Sequence, residues 1–280
     1  RACEVYPQAP QLRSFLLYTL FFVTDGVRRH AEEARRWAQT YARRPLPPDS
    51  AYPNPPLAGR KLRIGYVCPS VDSQLRQFLL PVLENHDRQA THVVMYVNAA
   101  PAGGLPCDEL RVLGQASDEE VAQAVRRDRI DVLVDLWGHT AGGRLGVFGL
   151  KPAPVQASWM NYVQTTGLEA IDYLLHPDCF AVPGSQDHCA ETLRYIGPVI
   201  SPFRPDPRPE LSPAPALANG FVTFASYNHP IRLNDATVAA WARILKGAPG
   251  ARLLLRYRYF EDEVLQNVTL MRFAAHGVEP

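Results

Sequence analysis

Hydrophobic positions along this chain of 280 residues change their period twice, and each change predicts a different kind of element. In residues 11–44 an apolar run from Phe15 to Val23 leads into DGVRRHAEEARRWAQTYARR, where Val27, Ala31, Ala34, Ala38 and Tyr41 recur at helical spacing among charges. This predicts helices with a solvated charged face. The next stretch, RRPLPPDSAYPNPPLAGR, cannot continue a helix, because each proline lacks the amide hydrogen and clashes with the preceding turn. A boundary is expected near residue 60. From residue 61 short apolar runs alternate with amphipathic segments. The candidate strands are Leu62–Val67, His92–Val97, Ile130–Leu136, Val155–Trp159 and Ile171–Leu175, with helices at Leu75–Glu84, Asp118–Arg127 and Gly143–Leu150. Near-continuous apolar runs such as IDVLVDLW are what a parallel sheet covered on both faces requires, so the class is α/β.

A second proline-dense connector occupies residues 197–219, after which the alternation restarts. Strand Phe221–Ala225, loop SYNHPIRLN, helix Asp235–Lys246, strand Arg252–Tyr257 and helix Glu261–His276 are expected there. The chain therefore divides into a helical segment with its connector (1–60), an α/β unit (61–196), a linker (197–219) and a second α/β unit (220–280). Two such units suggest two lobes facing a cleft, with ligands beyond the carboxyl ends of the strands. That directs attention to loops 68–74, 137–143, 160–167 and 226–234.

Composition narrows the function classes more than it identifies one. With 46% hydrophobic and 20% charged residues the chain is globular, and a formal charge of +1 gives no case for nucleic acid or an anionic membrane as partner. Phe15–Val23 is too short to span a bilayer. Five scattered cysteines without a C-x-x-C pair fit a reducing cytoplasm rather than a disulfide or zinc framework, and the eight histidines lack metal-ligand spacing. A cytoplasmic, metal-independent protein is expected. The absence of an initial methionine, and an end at FAAHGVEP where a further strand would be expected, make both ends read as cut.

Three loops carry candidate chemistry. DLWGHTAGGRLGVF (135–148) follows a strand and opens a helix, with Gly138 at a tight turn, Thr140 as a candidate N-cap and His139 at the strand's carboxyl end. A capping turn with a locally satisfied histidine would look the same on spacing alone. SWMNYVQTTGLEAIDY sets Tyr162, Thr165, Thr166 and Gly167 between two strands, a grouping that suits sugar or phosphate hydrogen bonding and equally suits an ordinary turn. In FASYNHPIRLN, Asn228 ends a strand and Arg232 precedes a helix capped by Asn234 or Asp235. A cation beside a helix N-terminus is unfavourable to the dipole unless an anion lies there too, although an exposed arginine on a polar loop is the plainer reading. No G-x-G-x-x-G or phosphate-loop pattern is present, which disfavours a dehydrogenase or a phosphate-loop NTPase.

The segments KLRIGYV, DLWGHTAGGRLGVF, LKPAPVQASWMNYVQTTGLEAIDY and LSPAPALANGFVTFASYN…WARILKGAPGARLLLRYR resemble, in order, the catalytic region of the O-linked N-acetylglucosamine transferase family, in particular its bacterial SPINDLY-type members. The resemblance implies a GT-B glycosyltransferase fold, two Rossmann-like lobes with the second incomplete, preceded by a helical join to a tetratricopeptide region. It implies inverting, metal-free transfer of N-acetylglucosamine from a UDP-sugar to Ser or Thr of proteins. Two alternatives stand beside it: fucosyl transfer from GDP-fucose, and a degenerate relative that only binds proteins. His139 and Thr140 match the family's G-H-T, Thr165, Thr166 and Gly167 its T-T-G, and Tyr162 the tyrosine of its G-Y-P, whose flanking glycine and proline are here Asn161 and Val163. Asn228 matches the asparagine of F-N-x-x-x-K, and the lysine that contacts the diphosphate falls on Arg232. The resemblance thus makes His139 catalytic, Asn228 and Arg232 diphosphate-binding, and Gln74, Thr140, Tyr162, Thr165, Thr166 and Gly167 sugar- or acceptor-side. After G-Y-V the family shows S-x-D-F-x-x-H, with a histidine proposed as base. This chain has CPSVDSQLRQF instead, holding Ser73 and Gln74 with no histidine. Glutamine can hydrogen-bond a sugar but cannot take a proton. Cys68 reads as a small buried residue rather than a nucleophile.

Overall fold

The computed structural model describes residues 2–23, 25–42, 44–48, 52–71, 73–199, 201–204 and 210–279, apart from the side chains of Ser73 and Gln74. It divides into two compact units, Arg1–Asp206 and Pro207–Pro280. The dividing point lies inside the second proline-rich stretch.

The first unit is built on seven parallel strands: β1 (Leu62–Val67), β2 (Thr91–Val97), β3 (Glu109–Val112), β4 (Val132–Asp135), β5 (Val155–Ser158), β6 (Tyr173–His176) and β7 (Thr192–Tyr195). Their order across the sheet is β3-β2-β1-β4-β5-β6-β7. Winding runs outward in one direction from β1 and in the other from β4, so the topological switch point lies between these two strands, where Val67 pairs with Asp135. Loops leaving β1 and β4 flank the crevice that such a switch creates. Period-two alternation fills both faces. Val94 and Tyr96 join Val67 and Leu133 on one face, while Val93, Met95 and Val97 join Tyr66 and Val134 on the other. β3 and β7 were not expected from the sequence. Both are edge strands, ELRV and TLRY, whose charges suit an edge but break the apolar run by which a buried strand is recognised.

Helices α1 (Ala2–Val5), α2 (Pro10–Leu20) and α3 (Gly26–Trp37) precede the sheet, and α3 continues as a π-helical turn over Ala38–Ala42. These helices belong to the same unit as the sheet. Leu17, Ala34, Trp37, Ala38 and Ala42 share one core with Val67, Leu133 and Phe148. The opposite face is covered by α4 (Ser73–Glu84), which contributes Leu75, Leu79 and Leu83. α5 (Asp118–Arg127) has the limits its pattern predicts, opened by a Ser117–Glu120 capping box. α6 is short, Leu145–Gly149.

The second unit holds α7 (Pro215–Asn219), the parallel pair β8 (Thr223–Ser226) and β9 (Arg252–Leu255), and helices α8 (Asp235–Gly247) and α9 (Glu263–Ala274). Its core is small: Val238, Ala242 and Phe273, with Trp241, Leu253, Leu255 and Val278 packed around them.

Candidate active site

Asp135, the last residue of β4, organises the loop at the switch point. Its buried carboxylate accepts hydrogen bonds from the backbone N–H of Gly138 at 2.8 Å, that of Trp137 at 3.1 Å and the Ser158 hydroxyl at 3.0 Å. Burial nevertheless outweighs these donors and pushes its pKa up to about 6. The turn that follows needs a glycine. Gly138 has φ +55°, and a Cβ there would lie 2.4 Å from the Tyr162 side chain.

His139 then points into the protein rather than into the crevice and is only 3% exposed. Its Nε2 lies 2.9 Å from the Thr166 carbonyl oxygen, an acceptor only, so this nitrogen carries the proton and donates. Nδ1 is then the acceptor for the Ser14 hydroxyl of α2 at 3.2 Å. Trp37 and Tyr162 stand edge-on to the ring, at centroid separations of 4.8 and 5.4 Å. Burial lowers its pKa to about 3, so the imidazole is neutral at physiological pH.

Tyr162 is equally enclosed. Its hydroxyl pairs with His30 Nε2 of α3 at 2.5 Å, and Phe21 packs edge-on against its ring at 5.5 Å. His30 is buried too, and desolvation lowers its pKa to about 4.

The two threonines are fixed by a residue that sequence reasoning missed. Glu191, buried just before β7, accepts from the Thr165 hydroxyl at 2.6 Å, from the Thr166 N–H at 2.7 Å and from the Thr166 hydroxyl. Thr165 Oγ1 in turn accepts the N–H groups of Gly167 and Ala190, both at 3.1 Å. Gly167, at φ +78°, lets α3 approach. A Cβ there would stand 2.3 Å from the Ala34 carbonyl carbon and oxygen. No local pattern joins Glu191 to the threonines, and its one available signal was an isolated acid before a strand that was itself not predicted.

The structure therefore brings His139, Tyr162, Thr165, Thr166 and Gly167 together, but as a buried frame with Ser14, His30, Trp37 and Glu191 rather than as an open ligand surface. Thr140 lies at the rim, half-buried, its hydroxyl 3.3 Å from Asn161 Nδ2. It is not the expected N-cap: Gly142 and Gly143 prolong the turn and α6 begins only at Leu145, after Arg144. Cys68 is fully buried, and its thiol donates to the Ser70 carbonyl at 3.0 Å. In the elbow after β1, Gln74 belongs to α4, but its side chain, like all of Asp72, lies outside the described residues.

In the second unit, Asn228 and Arg232 are exposed at the carboxyl end of β8. Asn228 donates to Ser226 Oγ at 3.1 Å. Arg232 closes a short 3-10 turn, Pro230–Arg232, which His229 caps by accepting the Ile231 N–H at 3.1 Å. The cap of α8 is Asn234, which accepts the Thr237 N–H at 2.8 Å. Among the described residues no group of three or more His, Cys, Asp or Glu is disposed to hold a metal ion, and no helix is long and apolar enough to cross a membrane.

Comparison with known proteins adds independent findings. The model of Glycosyl transferase family 41 matches residues 47–200. A probable UDP-N-acetylglucosamine–peptide N-acetylglucosaminyltransferase SPINDLY of Oryza sativa subsp. japonica is 30% identical across 100% of this chain and 32% of its own length. The protein of the same description from Petunia hybrida is 34% identical, over 79% of this chain and 25% of its own. Among solved structures, a mutant of Thermobaculum terrenum O-GlcNAc transferase matches with TM-score 0.89 and 33% identity, over 99% of this chain and 54% of that one. The chain thus spans about a third or less of those curated relatives and about half of the solved structure.

Proposed function

Because the chain belongs to glycosyl transferase family 41, we propose that it is part of the catalytic region of an enzyme that passes a sugar from a nucleotide donor to a serine or threonine hydroxyl of a protein. The donor in this reading is UDP-N-acetylglucosamine, as in the names of the relatives, and no metal takes part. The acceptor oxygen attacks the anomeric carbon as the bond to the nucleoside diphosphate breaks, inverting that centre, and the hydroxyl proton leaves with the departing diphosphate or to solvent. The departing diphosphate needs positive charge and N–H donors where its own charge develops. What supports the assignment most is the disposition of Asn228 and Arg232. They stand at the carboxyl end of a parallel strand, directly before the N-terminus of α8, where an anion is favoured by the helix dipole as well as by the guanidinium.

His139 acts in this account as a positioning residue. Neutral, enclosed and committed to Ser14 and Thr166, it holds the 137–143 loop against the 165–167 turn and does not receive the acceptor proton. Among the described residues, the rim at the switch point includes Ser70, Thr140, Ala141, Gly142 and Asn161.

The test is transfer of labelled sugar to protein acceptors by the full-length protein, with UDP-N-acetylglucosamine and GDP-fucose compared and a chelator present in a parallel sample. Label from the UDP-sugar, insensitive to the chelator and released by alkaline elimination, is the expected result. Transfer from GDP-fucose alone would replace the donor. Failure of both, with no nucleotide binding, would leave a protein-binding relative in which the histidine-free elbow marks lost chemistry.

A further inference from the structure

Helix α4 contains a proline, and Pro81 leaves a gap in its ladder of hydrogen bonds. In an unbroken helix the N–H of residue 81 would donate to the carbonyl of Gln77, but proline has none, and its ring crowds that same carbonyl. The structure fills the vacancy from outside the helix. The backbone N–H of Arg204, in the second proline-rich stretch, donates to the Gln77 carbonyl oxygen at 3.0 Å. Two side-chain contacts flank this bond. Phe203 packs on Phe78 with ring centroids 5.1 Å apart, and the Arg204 guanidinium donates to both carboxylate oxygens of Glu84, at 2.5 and 2.9 Å. Those hydrogen bonds hold the Glu84 carboxyl below its usual pKa. Helical geometry puts residues 77, 81 and 84 on the side of α4 turned away from Leu75, Leu79 and Leu83, which face the sheet. α4 is thus held between the sheet and a short strap.

We propose that Phe203 and Arg204 form a reversible clasp on α4 that sets where the chain leaves the first unit on its way to the second. With the clasp closed, the chain is fixed as far as Arg204. With it open, the nearest earlier hydrogen-bonded backbone among the described residues is that of Gly197. Its carbonyl accepts the Asp178 N–H at 2.7 Å, and its N–H donates to Asp178 Oδ1 at 3.3 Å. Each residue freed between these points adds up to about 3.3 Å of reach, so opening lengthens the tether of the second unit by up to about 20 Å. The contacts are of a kind that opens readily: one backbone bond, one aromatic pair and one ion pair open to solvent, which is worth little at a surface. Pro81 makes the clasp specific, because a carbonyl inside a helix accepts from another segment most readily when its own helical donor is missing. The clasp lies wholly within the first unit and does not depend on the glycosyl-transfer reading.

Chymotrypsin tests this in the full-length protein, because its cut after Phe203 requires the strap to be released, and mass spectrometry of the fragments locates the cut. Pro81→Ala gives the helix back its own donor to Gln77. It should raise the rate of cutting after Phe203 about 5-fold or more, while the urea midpoint stays equal to that of the wild type or rises, since alanine is the better helix former. General loosening of the fold cannot produce that combination. Glu84→Ala removes the ion pair and should raise the rate about 2-fold to 5-fold. Hydrogen exchange should show residues 198–204 less protected in both variants and residues 192–197 unchanged. An unchanged rate in Pro81→Ala, or a rise accompanied by a lower urea midpoint, would overturn the proposal. So would a loss of protection that extends through residues 192–197.

Discussion

Replacing Glu191 tests the buried frame most sharply, because its two simplest substitutions fail for different reasons. Glu191→Ala removes the acceptor of three hydrogen bonds, from the Thr165 hydroxyl, the Thr166 N–H and the Thr166 hydroxyl. A buried donor left without a partner costs about 1–3 kcal/mol. Three would cost about 3–9 kcal/mol, reduced by rotation of the hydroxyls and entry of water to about 3–5 kcal/mol, the upper end of single-residue effects. Glu191→Gln keeps the shape and one acceptor oxygen. Its new NH2 must then face either Thr166 or Thr165. The Thr165 hydroxyl cannot reverse its role, because Gly167 and Ala190 already donate to both of its lone pairs. A donor would oppose a donor, at a cost of about 1–3 kcal/mol. Urea unfolding followed by tryptophan and tyrosine fluorescence gives the midpoint and slope for each variant. The expected order is wild type, then Gln, then Ala. If Glu191→Ala loses less than about 1 kcal/mol, or Gln is as stable as the wild type, the frame is not held in the way described.

Three further outcomes follow from the same frame. His30 and His139 stay neutral when folded, with pKa values of about 4 and about 3, and so bind protons only when unfolded between pH 6.5 and 4, while Asp135, at about 6, binds one only when folded. Two protons against one means that these three groups make stability fall with acid, by about 1.4 kcal/mol per pH unit between about pH 6 and 4.5, as fluorescence-monitored unfolding at stepped pH would read. His86 and His176, also lowered by burial, act in the same direction. A stability that is flat or rises over this window would contradict the burial of the two imidazoles. Gly167→Ala combines a left-handed backbone with a Cβ 2.3 Å from the Ala34 carbonyl, so a loss of about 2–4 kcal/mol and early proteolysis of the helical segment are expected; unaltered stability and protease resistance would refute the close approach. Tyr162→Phe removes the hydroxyl paired with His30 and should cost about 1–3 kcal/mol in the urea midpoint, whereas an unchanged midpoint would mean that this pair is not formed.

Much of the architecture could be read from the residues, for reasons that also explain the gaps. Continuous apolar runs reveal central strands, since only a sheet covered on both faces needs them, and β1 has the limits its pattern predicted. α5 was legible from its amphipathic pattern, and the structure adds the capping box that opens it. The edge strands β3 and β7 were not, because half-exposed, charged four-residue strands carry no such run. The candidate site shows a deeper limit. Threonine hydroxyls beside a glycine look identical in sequence whether they face a sugar or a buried carboxylate, and Glu191 lies 25 residues from Thr166. Likewise His30 sits in a helix of solvated charges, such as Arg28 with Glu32, and only the fold turns it inward against Tyr162.

The central claim is that the second unit holds the leaving diphosphate through Arg232, and calorimetric titration of the full-length protein with UDP tests it most directly. Arg232→Ala should weaken binding by about 1.5–3 kcal/mol, the value of a charge-assisted hydrogen bond, with Arg232→Lys restoring part of it. Equal affinity in wild type and Arg232→Ala, or no measurable UDP binding to the wild type, would contradict the account.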